Sequence, residues 1–70
     1  MITKLIVEYE TKIDNEDKIL EQLYIEKRTH RAEGDTVALH SVVLDIATHE
    51  ARRQAYLQAK VDIASLLNGI

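Results

Sequence analysis

The side chains best suited to chemistry lie on one stretch in the second half of the chain: His49, Arg52, Arg53, Tyr56 and Lys60, spaced at steps of three, four and seven. On an α-helix such steps share one broad face. Two guanidinium groups, an ammonium, an imidazole and a phenol together form a candidate binding site for an anionic ligand. Forked donors suit phosphate or carboxylate, and the ring offers stacking and cation–π contact. An anionic nucleotide, a single nucleic-acid strand or an acidic protein surface has the matching chemistry. A competing account is internal. Glu8, Glu10, Asp14, Glu16, Asp17 and Glu21 lie in the stretch that an antiparallel fold sets beside these cations, and acid facing base within one molecule needs no ligand. A second basic cluster, Lys27, Arg28, His30 and Arg31, suits the C-terminal end of a helix, where positive charge complements the helix dipole.

Catalysis is not expected. Ser41 and Ser65 stand far apart and outside any nucleophile motif, so both read as helix-surface residues. The paired carboxylates Glu8/Glu10 and Glu16/Asp17 are too close in sequence to share a helix face as a catalytic dyad must. With 2 glycines the chain has no phosphate-binding glycine loop, and with no cysteine it has neither disulfides nor thiolate metal sites. Of the 3 histidines, His40 and His49 fall on nearly opposite sides of one helix. Only His30 with His40, beside Glu33 or Asp35, forms a constellation worth testing for a metal, and ordinary polar residues near a loop are the expectation. No metal or cofactor is expected.

The elements that position these residues follow from punctuation. Proline is absent, and the glycines are Gly34 and Gly69, so the chain has one internal breaker and one turn. In Ala32-Glu33-Gly34-Asp35-Thr36, Gly34 supplies the left-handed position that ends a helix, and the Asp35 or Thr36 oxygen caps the next. Helix 1 is predicted from about residue 3 to 32, the turn at 33–35 and helix 2 from about 36 to 67, each helix roughly 45 Å long. So short a turn forces the helices antiparallel, in one all-α domain.

Ile2, Ile6, Tyr9, Ile13, Glu16, Leu20, Leu23, Lys27 and His30 follow alternating steps of four and three, a coiled-coil seam with polar interruptions. Leu5, Ile19 and Tyr24 flank it and make the apolar stripe wider than one partner helix covers. An alternative makes Thr3–Tyr9, rich in β-branched residues, a strand, with Asp14 or Asn15 capping a shorter helix. Helix 2 is expected to bury Leu39, Val42, Val43, Ile46, Leu57, Val61 and Ala64, with Leu67 at the edge. Ala47, Ala51, Ala55 and Ala59 recur at steps of four, either as a ridge that admits another helix closely or because alanine is the best helix former. A hairpin closing at Gly34 sets residue i opposite roughly residue 69 minus i. Glu16 then faces Arg53, a structural register pair.

At 70 residues one hydrophobic core is hard to complete, and association is the remaining route. The hairpin is therefore expected to assemble into a four-helix bundle or higher homo-oligomer. With 46% apolar and 30% charged residues the chain is neither disordered nor a membrane segment, its aliphatic runs are too short to span a bilayer, and a cytoplasmic location follows. A net charge of −3 makes nucleic-acid binding an unfavoured third option.

Lys4-Leu5-Ile6-Val7-Glu8-Tyr9-Glu10, the Arg31–Asp35 turn and the alanine-rich second helix together resemble small uncharacterised helical proteins carried by phages of Gram-positive bacteria. That resemblance implies a binding device acting on host machinery and implies no catalytic or ligand residue. The expectation is a non-enzymatic oligomeric interaction protein that binds and modulates a host macromolecule through an exposed helix face. An oligomeric small-molecule binder that sequesters an anionic nucleotide at subunit interfaces is the alternative.

Overall fold

The computed structural model describes residues 2–69. They form α1 (Ile2–Glu33) and α2 (Thr36–Asn68), which run antiparallel against each other in a rod of 55 × 14 × 12 Å. Both helices extend within a residue of the expected limits. The strand reading of Thr3–Tyr9 is overturned, for these residues are the first turns of α1. A lone strand there would have left its backbone groups unpaired, whereas the helix satisfies them internally. Thr11, Thr29 and Thr48 fit the helices by turning their hydroxyls back to donate to the carbonyls of Val7, Ile25 and Leu44, four residues earlier.

The turn is made by two residues. Gly34 has φ 73, the left-handed region that favours glycine. The Gly34 amide donates to the Arg31 carbonyl at 3.2 Å and the Asp35 amide to the His30 carbonyl at 3.1 Å, the paired bonds that close a helix end in a Schellman motif. Asp35 then starts α2: its side chain accepts from the Ala38 amide at 3.1 Å. Ending one helix and capping the next with adjacent residues leaves no slack, so the register of the hairpin is set at its closed end.

The expected seam of α1 is observed in full, with all nine positions partly or fully buried. The expected face of α2 is met at Leu39, Val42, Ile46, Leu57 and Ala64, all partly or fully buried, and needs correction at Val43 and Val61. The residues turned toward α1 are Leu39, Val42, Ile46, His49, Arg53, Tyr56, Lys60 and Ile63, again at steps of three and four. Val43, Val61 and Leu67 remain 41%, 50% and 43% exposed. An apolar count alone favoured the stripe through Val43 and Val61, but a seam that starts at Leu39 stays in phase only through the cations, and the acids of α1 draw them inward. Of the alanine ridge, Ala47, Ala51 and Ala55 are exposed and Ala59 is partly buried. The buried apolar core comes down to Leu20, Val42 and Ile46, with Leu23 packed against it.

Removing the two turn devices tests this closure. Gly34→Ala should cost about 1–2 kcal/mol for a Cβ in left-handed backbone, and Asp35→Ala about 1 kcal/mol for a lost cap. Combined, they should favour one continuous helix of roughly 100 Å, seen as a rise in the maximum dimension measured by small-angle X-ray scattering.

Candidate functional site

A band of polar side chains crosses the waist of the rod between the helices. At its centre is Glu16, whose side chain is 8% exposed although it is a carboxylate. Ionised carboxylates are rarely that buried unless paired. Glu16 Oε2 lies 2.6 Å from His49 Nδ1 and Oε1 lies 3.7 Å from the Arg52 guanidinium. Beside it, Arg53 Nε donates to Asp17 Oδ1 at 2.5 Å. Toward the open end Lys60 Nζ sits 3.2 Å from Glu10 Oε1. Between these two pairs the Tyr9 and Tyr56 rings tilt at 50° with centroids 6.2 Å apart. Lys12 Nζ lies over both rings, at 5.4 and 5.3 Å, a geometry in which each ring quadrupole attracts the ammonium. Toward the turn, the Tyr24 hydroxyl donates to Glu50.

All five candidate binding residues thus belong to one region, and each is engaged from α1. His49 and Arg52 hold Glu16, Arg53 holds Asp17, Tyr56 meets Tyr9 and Lys12, and Lys60 holds Glu10. The expected Glu16–Arg53 register pair is replaced by a staggered set. The long Arg53 arm reaches the flanking, half-exposed Asp17, while the shorter imidazole of His49 fits beside the buried Glu16. Tyr9, Lys12, Tyr24 and Glu50 joined the band without having been singled out as partners. Tyr9 and Tyr56 both occupy seam positions and come together when the helices are laid antiparallel from Gly34. Lys12 and Tyr24 flank the seam and gave no comparable signal.

The chemistry open to this arrangement is charge compensation. The imidazole of His49 and the half-exposed guanidinium of Arg52 flank the buried Glu16 carboxylate, and the His49–Glu16 contact is a full ion pair only while the imidazole carries its second proton. The Tyr24 phenol has its pKa raised by the hydrogen bond it gives to Glu50, with desolvation and repulsion by the Glu50 charge adding to the effect. Near the turn the metal constellation is not assembled. His30 Nδ1 is 3.8 Å from Glu33, the Asp35 carboxylate caps α2 and His40 is exposed. Among the described residues no three His, Asp or Glu side chains gather around one point, no cavity opens between the helices, and no helix is long and apolar enough to cross a membrane. No protein family, curated protein or solved structure matches the chain.

Two outcomes follow. His49→Met leaves Glu16 with only the more distant Arg52 and should destabilise the fold by roughly 3 kcal/mol, whereas Glu16→Met with His49→Met should be neutral or stabilising in the same denaturant titration. For Tyr24, a folded pKa above its unfolded value favours the neutral phenol in the fold. The stabilisation is complete below the unfolded value of about 10 and is lost as pH rises through the higher folded value. In a Tyr9→Phe/Tyr56→Phe background, Glu50→Ala should therefore move the remaining tyrosinate absorbance transition to lower pH.

Proposed function

We propose that this chain is a non-enzymatic interaction protein. Its hairpins assemble with copies of themselves, and the assembly binds and modulates another macromolecule through a helix face left open. The observation that carries this reading is the distribution of apolar side chains: among the described residues eleven large ones are exposed, while three form the buried core. A chain that leaves more large apolar side chains in water than it buries gains by covering them with a neighbour. The exposed residues lie on both helices, with Val7 and Ile25 on the outward side of α1 and Val37 and Leu44 on that of α2. One neighbour does not cover both sides. One face then serves self-assembly and another is left for a partner.

A small-molecule site at His49, Arg52, Arg53, Tyr56 and Lys60 would have to displace the acids and the ring that hold these side chains. The geometry therefore favours the interaction reading. The resemblance to small helical phage proteins points to a host macromolecule as the partner and to the cytoplasm as the setting.

Sedimentation equilibrium combined with thermal melts over a wide concentration range tests the assembly. The expected mass is an integer multiple of 8.0 kDa, with a melting temperature that rises with concentration because assembly stabilises only the folded chain. A cooperative monomer that melts at one temperature throughout would overturn the reading.

A further inference from the structure

The two helices differ in what they turn to solvent. Outward positions of α1 set Val7 and Ile25 among Lys4, Glu8, Asp14, Lys18, Glu21 and Arg28, a face that is mainly charged. The corresponding side of α2 presents Val37, Leu44, Ala47, Ala51 and Ala55, all exposed, and the one charged residue on its central strip from Val37 to Ser65 is Asp62, with Asp45, Glu50 and Arg52 on the flanks. Val37 is 81% and Leu44 55% exposed. This is the surface of a helix with a neighbour.

The hairpin exposes 5123 Å², whereas a compact chain of its mass exposes about 4,450 Å². The excess of roughly 700 Å² belongs to the rod as a whole, and one standard contact, to which each partner contributes ~800 Å², is enough to remove it. Charge gives the neighbour's identity. The centre of the stretch from Val37 to Ser65 is Ala51, and a two-fold axis there sets Ala47 of one copy against Ala55 of the other. The same axis brings His40 of each copy to Asp62 of the other, so the one acid on the face meets its one imidazole. Alanine on both sides lets the helix axes come to the short end of the ~8–10 Å range.

We propose that the outward face of α2 is a dimer interface, on which a second copy of this chain packs α2 against α2, antiparallel, about a two-fold axis at Ala51. The charged sides of α1 then lie on the outside of the four helices and remain open to a partner. This inference rests on the self-assembly reading above and names the surface that performs it.

At a two-fold axis a side chain meets its own copy, which supplies the test. Ala51→Glu and Ala51→Lys are each made, and each is examined alone and in equal mixture by native mass spectrometry and circular dichroism. Each variant alone should dimerise roughly a hundredfold more weakly than the unaltered chain, because like charges are juxtaposed. The mixture should recover dimers containing one copy of each, and should recover helicity if either variant unfolds alone. Ile25→Glu, on the outward side of α1, should leave the dimer intact. Unchanged dimerisation of either Ala51 variant alone would overturn this interface while leaving self-assembly standing, and a mixture that recovers neither dimer nor helicity would overturn it as well. A monomeric unaltered chain would overturn both readings.

Discussion

A carboxylate taken out of water must find positive charge close by, and in this hairpin Glu16 imposes that requirement at the middle of the seam. Its oxygens are met by His49 and Arg52, and the whole of α2 turns to bring them there. Once His49 lies in the seam, positions three and four residues away lie in it too, so Arg53, Tyr56 and Lys60 follow. The same rotation leaves Val43 and Val61 about half exposed. The polar centre and the exposed apolar flank are one effect. Burying the valines instead would have left Glu16 uncompensated, which costs more than leaving two aliphatic side chains partly wet.

The turn and the waist act on register from different ends. Gly34 and Asp35 set the phase at the closed end through a short run of backbone bonds. The acid–base pairs repeat the same alignment farther out, where small errors in helix pitch would otherwise accumulate. Each buried or half-buried pair is weak as a source of net stability but strong as a penalty on misalignment, since a slip leaves charge without a partner. The aromatic pair with Lys12 adds a contact tolerant of small sliding, because ring and ammonium attract over a broad range of geometries.

Much of this was legible in the chain. The turn followed from the single internal glycine and the adjacent capping residue, and the α1 seam from alternating steps of four and three. The α2 face was misjudged at Val43 and Val61 because apolar residues occupy two neighbouring stripes, one through Leu39, Val42 and Ile46 and one through Val43, Leu57 and Val61. Composition does not choose between them. The choice belongs to tertiary electrostatics, which become visible only when α1 is laid alongside. The candidate residues His49, Arg52, Arg53, Tyr56 and Lys60 were found as a group, and their internal engagement was one of the two accounts open from sequence. Their individual partners were not readable, since whether Arg53 meets Glu16 or Asp17 depends on arm length and burial, which spacing alone does not convey.

The two-residue turn also gives the molecule a direction in time. Contacts near Gly34 join residues close in sequence, and each step toward the open ends closes a longer loop: Tyr24 to Glu50 spans 26 residues, Glu16 to His49 spans 33 and Asp17 to Arg53 spans 36. Each formed contact has already closed the inner loop, so the next has only a short further segment to order and is nearly local. The hairpin therefore zips from the turn outward and opens from the free ends inward. On that order, amide hydrogens near Ile6 and Ile63 should exchange through small openings, and those around the buried Leu20 and Ile46 only once the outer half of the rod has come apart.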